Sequence, residues 1–263
     1  MALQSATINV MTAAARKAAR GLLRDFGEVE NLQVSKKGPG NFVTAADIKA
    51  EEVLREQLER ARPAYSFLLE EAGHIEGSDK THCWIVDPLD GTTNFLHGLP
   101  HFAISIALER EGQLVAGVVY DPVKDEMFWA EKGKGAFLYD RRLRVAARHD
   151  LQNCLVATGI PYTGRPGRDV FYRELQIVTD AVAGIRRSGA AALDLAYVAA
   201  GRYDAFWERD LNPWDIAAGI VLVREAGGIV GQIGGAAITL DAPSIVASSE
   251  ALFDPIAKKL AQA

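Results

Sequence analysis

Two aspartates at the end of an apolar run are the residues of this sequence best placed to do chemistry. Asp87 and Asp90 stand three positions apart across Pro88, within the segment 84–95. The proline ring fixes its own backbone angle and so holds the turn between them. Two carboxylates held this close repel each other unless a cation lies between them. Hard divalent ions such as Mg²⁺ prefer oxygen ligands, so the two aspartates and the Leu89 carbonyl predict part of a metal site.

Small residues follow the aspartates at once, as Gly91, Thr92 and Thr93. If they begin a helix, free backbone N–H groups and the positive end of the helix dipole would face the metal, which suits an anionic phosphate. A strand, an acid pair and an anion-binding turn in this order predict metal-assisted phosphoryl chemistry. A purely structural interpretation is equally open for this segment alone, because Asp-Pro and Asp-Gly are common turn formers and an aspartate here could simply cap a helix.

Acids in three other segments lie at the ends of expected elements. Glu70 and Glu71 end an apolar run, Asp47 follows Thr44 at the start of a strongly helical stretch, and Asp215 stands at the entrance of an otherwise apolar helix. Each has a structural explanation, since Thr44 with Asp47 resembles a capping box and Asp215 as a cap would contribute about 1 kcal/mol. Together the four acid-bearing segments favour one shared site over four unrelated caps.

These segments resemble the magnesium-dependent inositol monophosphatases of the bacterial type. That family belongs to a lithium-sensitive phosphatase superfamily, which also contains fructose bisphosphatases and nucleotide bisphosphate phosphatases. The motifs include Glu70-Glu71-Ala-Gly73, Arg187-Ser-Gly-Ala-Ala-Ala-Leu-Asp194 and Trp214-Asp215-Ile-Ala-Ala-Gly219. With residues 42–47 and 84–95 they follow the family order and cover essentially the whole chain.

The resemblance implies an active site with two or three Mg²⁺ ions, for which Mn²⁺ is an alternative. The implied metal ligands are Glu70, Asp87, the Leu89 carbonyl, Asp90 and Asp215. The implied catalytic pair is Asp47 and Thr92, which would orient the attacking water. The implied substrate-binding residues are Glu70, Leu89, Asp90, Gly91, Thr92, Arg186, Gly189, Ala191, Glu208 and Asp215.

The reaction that the resemblance implies is in-line displacement at phosphorus by a metal-activated water, without a covalent phosphoenzyme. Phosphoryl transfer needs mainly positioning and charge neutralisation from a protein, which agrees with a site of acids, metals and backbone amides. The chain has no Gly-x-Ser-x-Gly motif, and neither Cys83 nor Cys154 lies in a metal-binding or redox motif. The sequence therefore gives no indication of a catalytic nucleophilic side chain.

The substrate stays open between several small phosphate esters. Inositol 1-phosphate is the reference, and histidinol phosphate is a rival because Glu208 could accept hydrogen bonds from hydroxyl groups or pair with an ammonium group. Fructose 1,6-bisphosphate and 3′-phosphoadenosine 5′-phosphate are weaker candidates, since they need basic or base-recognising groups that are not evident. Asn212 stands where the family often has a basic residue or histidine. Lithium inhibition is expected, and the loop around Lys36 and Lys37 could alter it.

A regulatory protein that keeps this fold and binds transcription machinery is the non-enzymatic alternative, because some bacterial relatives in the family have such a role. Every expected metal ligand is present, so catalysis is expected first, and a regulatory role can coexist with it. The resemblance also implies a homodimer.

The composition describes a globular chain, with 49% hydrophobic and 24% charged residues. The net charge of −5 gives no support for a general nucleic-acid-binding or membrane-binding surface. No apolar run approaches the roughly 18 residues of a transmembrane span, and the N-terminal segment lacks the apolar core of a signal peptide. Two cysteines without a secretion signal suit a reducing compartment, so a cytoplasmic location is expected.

Hydrophobic periodicity predicts mixed α and β structure. Helices are expected at 5–27, 46–62, 168–183, 190–200, 214–226 and 250–261. Strands are expected near 65–70, 84–88, 102–109, 114–120, 126–130, 136–139, 154–158, 185–187, 204–208, 228–231 and 244–247. The resemblance goes further and implies a layered α/β/α/β/α sandwich of the inositol monophosphatase and fructose bisphosphatase type. Residues 1–263 are expected to form one catalytic unit, with a first half of about 1–140 and a second half of about 141–263.

Overall fold

The computed structural model describes residues 4–28, 34–38, 41–162 and 167–263, and for 34–38 and 41–43 it describes the backbone alone. The α-helices in these ranges are α1 (Ala6–Phe26), α2 (Ala45–Ala61), α3 (Thr92–Leu96), α4 (Arg168–Thr179), α5 (Ala191–Ala199), α6 (Pro213–Glu225) and α7 (Glu250–Leu260). The strands of the first part are β1 (Val34–Gly38), β2 (Asn41–Thr44), β3 (Ser66–Leu69), β4 (Gly73–Ile75), β5 (His82–Asp90), β6 (Ala103–Arg110), β7 (Gln113–Asp121), β8 (Glu126–Glu131), β9 (Gly135–Leu138) and β10 (Arg141–Arg142). The later strands are β11 (Leu155–Thr158), β12 (Gly184–Arg186), β13 (Ala205–Arg209), β14 (Gly228–Gly231) and β15 (Ser244–Ser249).

The first layer consists of α1 and α2, which pack against each other. Ser5 caps α1, since its hydroxyl oxygen accepts a hydrogen bond from the Ile8 N–H at 3.2 Å. Ile8, Met11 and Leu22 recur at helical spacing, and all three are buried in one cluster with Leu54 of α2. Burial of this apolar stripe holds the layer against the sheet beneath it.

An eight-stranded sheet forms the second layer and carries the acid motif. Its strand order is β10-β9-β8-β7-β6-β5-β3-β4. Strands β3 and β5 run parallel, and the other neighbours in this sheet run antiparallel. Because helices cover both faces of the sheet, Ile85 is buried in the cluster of the middle layer, and Trp84 and Val86 are buried in the cluster under α1 and α2. This placement explains why the strand is continuously apolar instead of alternating.

A five-stranded sheet with the order β12-β11-β13-β15-β14 forms the fourth layer. Strand β11 runs parallel to β12 and β13, whereas β15 runs antiparallel to β13 and β14. Helices α4 and α7 cover the outer face, where Val178 and Leu252 share a buried cluster with Trp207. They form the fifth layer.

Helices α5 and α6 form the middle layer between the two sheets. One buried cluster joins Val119 of the large sheet, Leu193 of α5 and Phe206 of the small sheet. Gly117 in β7 permits the close approach of α6, because a Cβ there would lie 2.6 Å from the Ala218 carbonyl oxygen. The order of helices and sheets confirms the predicted α/β/α/β/α sandwich.

Several elements differ from the sequence-based expectation. The hairpin of β1 and β2, the short strands β4 and β10, and the helix α3 are additional. The helix expected at 168–183 ends at Thr179, because the Ala183 N–H donates to the Cys154 carbonyl at 3.0 Å and the chain then pairs with β11. A tertiary strand pairing thus overrides a local helical pattern. Lys36 and Lys37 fall in β1, whose side chains lie outside the described residues, so the expectation attached to them stays a prediction.

Within the described ranges, no helix is both long enough and apolar enough to span a membrane.

Candidate active site

Strand β5 places Asp87 and Asp90 by means of an irregularity in its pairing with β6. The two aspartates lie three steps apart along β5 but pair with residues that lie two steps apart in β6. Such a bulge re-aims side chains, and Pro88 suits it because proline has no N–H to donate. The Leu89 N–H donates to Asp87 Oδ1 at 2.9 Å, which fixes that carboxylate against the turn.

Asp47 combines a structural contact with a contact to the acid motif. Its Oδ2 accepts hydrogen bonds from the Thr44 N–H at 2.9 Å and from the Thr44 hydroxyl, which completes a capping box. Its Oδ1 lies 3.2 Å from the Thr92 hydroxyl, and the same hydroxyl lies 3.1 Å from the Leu89 carbonyl oxygen. Burial raises the pKa of Asp47, although the bonds from Thr44 lower it. Asp47 thus takes part both in the predicted helix cap with Thr44 and in the predicted catalytic pair with Thr92.

Glu70 reaches the cavity from the loop after β3. Its backbone N–H donates to the Val86 carbonyl at 3.2 Å, next to the pairing of β3 with β5. Glu51 of α2 supports the following residues, because its carboxylate accepts hydrogen bonds from the N–H groups of Glu71 and Ala72 at 2.8 and 2.9 Å. Glu70 lines the same cavity as Asp87 and Asp90, whereas Glu71 does not.

Asp215 enters the same region from α6. Its Oδ2 accepts a hydrogen bond from the Asn212 N–H at 2.7 Å and closes a capping box. The Ser105 hydroxyl donates to the Trp214 carbonyl at 3.2 Å, which connects the start of α6 to β6. Asp215 is therefore fixed relative to the sheet that carries the acid motif.

Two further contacts join the acid motif to α5 and to the loop before it. Asp90 Oδ2 accepts a hydrogen bond from the Ala192 N–H at 2.8 Å. The buried Asn94 amide donates to the carbonyls of His101 and Ser188 at 2.7 and 2.8 Å. Sequence reasoning gave Asn94 no role, although it lies within the acid motif.

These elements enclose a cavity of about 180 Å³. The predicted site residues that line it are Glu70, Asp87, Leu89, Asp90, Gly91, Thr92, Gly189, Ala191, Glu208 and Asp215. Asp47 lies behind this lining, in contact with Thr92. A larger groove of about 610 Å³ lies beside the β6–β7 turn and α6, but none of its lining residues belongs to the predicted site. We therefore assign the candidate active site to the smaller cavity.

Arg186 is the predicted substrate residue that the structure does not bring to the cavity. Its guanidinium is exposed and donates to the Ile185 carbonyl at 2.9 Å, whereas the neighbouring Arg187 lines the cavity. Successive side chains in extended backbone point to opposite sides, so a shift of one position exchanges the two arginines. The cavity also includes Asp194, which sequence reasoning missed although it ends one of the matched motifs.

The acids of the cavity repel one another in the absence of cations. Burial raises the pKa values of Asp87 and Asp90 well above the ordinary range, and Glu70 and Asp215 add to this. Oxygen donors in such negative surroundings fit a hard cation such as Mg²⁺.

The geometry also distinguishes between kinds of metal site. Among the described residues, no three His, Cys, Asp or Glu side chains converge closely enough to hold one ion. Mg²⁺ retains several waters and takes only one or two carboxylates, whereas a structural Zn²⁺ takes four protein ligands. The cavity is lined by carboxylates and by no histidine or cysteine among the described residues, so its donor set suits Mg²⁺ better than Zn²⁺.

Metal-free protein is expected to be more stable near pH 5, just above the ordinary aspartate pKa, than near pH 8. Folding raises the pKa values of Asp47, Asp87 and Asp90, so above the ordinary aspartate value the folded state binds more protons than the unfolded state. The free energy of unfolding then falls as the pH rises through the raised values. Burial lowers the pKa of His101, so this residue makes the free energy of unfolding rise with pH. It is one group against three aspartates.

Thermal unfolding in EDTA at the two pH values measures this difference. Added Mg²⁺ should reduce it, because bound cations stabilise the ionised carboxylates. A higher Tm at pH 8 in EDTA would contradict the expectation.

Gly159 determines the space available to the Glu208 carboxylate. A Cβ at position 159 would overlap the carboxylate carbon and both oxygens of Glu208. Gly159→Ala is therefore expected to displace Glu208 and to raise KM about tenfold for inositol 1-phosphate, the reference substrate that the family resemblance implies. This is the effect of losing a hydrogen bond to a charged group. Steady-state kinetics measures it. Gly184→Ala is the matched control, because a Cβ there meets its nearest neighbour at an ordinary 3.5 Å, and equal KM values in both variants would contradict the prediction.

The layered fold and its acid-lined cavity define the class of this protein as a phosphoric monoester hydrolase. A family model described as the inositol monophosphatase family matches residues 3–263. The chain therefore belongs to the inositol monophosphatase family, and the predicted enzyme class is confirmed. Members of this family are generally metal-dependent.

Similar proteins match nearly the whole chain. The inositol-1-monophosphatase of Caulobacter vibrioides is 59% identical over 253 residues, which cover 95% of this chain and 99% of that protein. The Pseudomonas aeruginosa protein named Nus factor SuhB is 44% identical over 250 residues, with 94% and 92% coverage. The crystal structure of extragenic suppressor protein suhB from Bartonella henselae is 54% identical, has a TM-score of 0.95 and covers 97% of this chain and 98% of that one. This last similarity confirms the fold class.

Proposed function

We propose that the chain is a Mg²⁺-dependent phosphomonoesterase that hydrolyses inositol 1-phosphate or a similar small polyol phosphate. The observation that carries the proposal is the meeting of Glu70, Asp87, Asp90 and Asp215 in one cavity with the turn at Gly91. The 59% identity to a protein named inositol-1-monophosphatase supports the same substrate class.

The metal-binding part of the cavity consists of oxygen donors. Mg²⁺ would be held by Glu70, Asp87, the Leu89 carbonyl, Asp90 and Asp215, and Mn²⁺ could replace it. When bound, such ions neutralise phosphate charge and make a bound water more acidic. The raised pKa values of Asp87 and Asp90 in the metal-free protein agree with a site built to take cations.

Asp47 and Thr92 would orient the attacking water. The Thr92 hydroxyl lies between Asp47 Oδ1 and the Leu89 carbonyl oxygen, so its position is fixed from two sides. Asp47 can accept a proton from water at the same carboxylate. The backbone N–H groups of Gly91 and Thr92 would hold the phosphate, and water attacks directly without a covalent phosphoenzyme.

The alcohol part of the ester would contact Gly189, Ala191 and Glu208. Arg187 lines the cavity and would take the place that the resemblance gave to Arg186. Glu208 can accept hydrogen bonds from the hydroxyl groups of inositol or pair with the ammonium group of histidinol, so histidinol phosphate is the alternative substrate.

Phosphate release tests the proposal directly. The esters to compare are inositol 1-phosphate, histidinol phosphate, fructose 1,6-bisphosphate and 3′-phosphoadenosine 5′-phosphate, each with and without Mg²⁺. We expect Mg²⁺-dependent turnover with inositol 1-phosphate in first place. A folded protein that hydrolyses none of the four with Mg²⁺ or Mn²⁺ would contradict the proposal.

A regulatory role in transcription is the second candidate function. The observation that favours it is the name Nus factor SuhB, carried by relatives at 43–44% identity. The relatives at 58–59% identity carry an enzyme name, which supports catalysis as the first function. Binding to purified transcription machinery that survives Asp90→Asn would support a separate regulatory role, and no binding by either form would exclude it.

The remaining proposals concern assembly and inhibition. Residues 1–263 form one catalytic unit whose halves meet near 140, which the buried cluster shared by both sheets supports. We also propose a homodimer, and light scattering would report twice the chain mass of 28.4 kDa. Lithium should inhibit at fixed Mg²⁺. A cytoplasmic location is supported by the two cysteines, which are both free, and cell fractionation would test it.

A further inference from the structure

Asp194 is an acid of the cavity that the proposed mechanism does not use. It lies in the first turn of α5 and lines the cavity with Glu208 and Arg187. The residue is 1% exposed, and its Oδ1 is buried without a hydrogen-bond partner. Buried polar atoms without partners are uncommon in folded proteins, and each one requires an explanation.

The charged neighbours of Asp194 do not supply that partner. Apart from burial itself, Glu208 and Asp90 raise the pKa of Asp194, while Arg187 lowers it. Arg187 is therefore near enough to act on Asp194 through its charge, yet Oδ1 stays without a hydrogen bond. Because Asp194 lines the cavity, a donor for Oδ1 can come from a molecule that enters it.

We propose that Asp194 is a substrate-binding residue whose carboxyl group accepts a hydrogen bond from the alcohol part of the phosphate ester. This inference rests on the proposed function and names a residue that selects its substrate. Six acids line the cavity, and Arg187 is the single basic residue among its described lining residues. Four of the acids are the proposed metal ligands, so Asp194 and Glu208 remain for the alcohol.

Two acids on the alcohol side determine which leaving groups fit. Hydroxyl and ammonium groups donate hydrogen bonds to carboxyl oxygens, whereas a second phosphate carries a charge of about −1.5 to −2 near pH 7 and would be repelled by the acids of the cavity. The site therefore favours monophosphates of polyols or amino alcohols over bisphosphates.

Two substitutions and two esters test the role of Asp194. Asp194→Ala removes both oxygens, and Asp194→Asn keeps one acceptor. We expect Asp194→Ala to lower kcat/KM for inositol 1-phosphate about 10-fold to 100-fold, the effect of leaving a buried hydroxyl group of the substrate without its hydrogen-bond acceptor. For 4-nitrophenyl phosphate, whose leaving group carries no hydroxyl, the change should stay below about threefold. Asp194→Asn should recover part of the loss with inositol 1-phosphate.

Two controls separate binding from stability. Asp180→Ala removes an exposed aspartate at the end of α4 and should leave both esters unaffected. Asp194 also lies near the N-terminus of a helix, where an acid stabilises the helix, so the Tm of each variant is measured without ligand. A specific loss with inositol 1-phosphate at an unchanged Tm is the expected result.

The failures of the two proposals give different results. If wild-type protein is active but Asp194→Ala weakens both esters equally, or in proportion to a fall in Tm, Asp194 is structural and this inference alone is overturned. If wild-type protein with Mg²⁺ releases phosphate from neither ester, the proposed function is overturned and this inference with it.

Discussion

Replacing Asp90 by asparagine is expected to lower Mg²⁺-dependent phosphate release from inositol 1-phosphate by at least about 1,000-fold, because a divalent ion contributes several kcal/mol to a phosphoryl transition state. Asp90 is a proposed metal ligand and lies among other acids. Asparagine retains an oxygen that can accept the Ala192 N–H, so the contact to α5 can persist while the charge is lost. Initial-rate measurements over a range of Mg²⁺ concentrations give the size of the loss.

Stability distinguishes lost metal binding from misfolding in this variant. Asp90→Asn removes one of several mutually repelling buried acids, so the Tm of the metal-free variant should equal or exceed that of the wild type. The rise in Tm that Mg²⁺ gives the wild type should shrink in the variant. Asp254→Asn, at a side chain 73% exposed in α7, is the control. An Asp90→Asn variant that keeps wild-type turnover would refute the proposed ligand set.

Asp47→Asn is expected to lower kcat about 100-fold to 10,000-fold with little change in KM, the range typical of a positioned general base. Asp47 does not line the cavity itself and reaches it through Thr92. Asparagine can still accept the Thr44 N–H, so the capping box should lose little stability. Single-turnover and steady-state kinetics together separate a slower chemical step from weaker binding.

Thr44→Ala provides the complementary variant. It removes the hydroxyl that accepts a hydrogen bond from the Ala46 N–H at 3.0 Å, so we expect the free energy of unfolding to fall by about 1 kcal/mol. Its kcat should fall by less than about tenfold. If the loss of kcat is proportional to the fall in Tm in both Asp47→Asn and Thr44→Ala, Asp47 acts only as a helix cap and the proposed catalytic role is wrong.

Local sequence predicts the elements of this site better than it predicts their contacts. The spacing of Asp87 and Asp90 across Pro88 suggested a turn that holds two carboxylates together, and the structure has a bulge at that point. The apolar character of β5 likewise agrees with its position inside the large sheet. Both features follow from properties of neighbouring residues.

Contacts between distant segments needed the structure. Thr92 meets Asp47 from a position 45 residues away, and the Asn94 amide reaches Ser188 across 94 residues. No periodicity in the sequence encodes such pairs. The family resemblance predicted the first pair but not the second. It named Arg186, whereas Arg187 lines the cavity, because one residue of shift in extended backbone changes the side to which a side chain points.

The middle layer also has a consequence for how the protein is made. During synthesis the acid motif on β5 leaves the ribosome well before α5 and α6, and domains generally fold as units. The Ala192 N–H that fixes Asp90, and Asp215 itself, belong to those later helices. A nascent chain that ends before α6 therefore lacks Asp215 and a complete cavity. Metal ions would then bind after the whole chain has been made, and they would not guide its early folding.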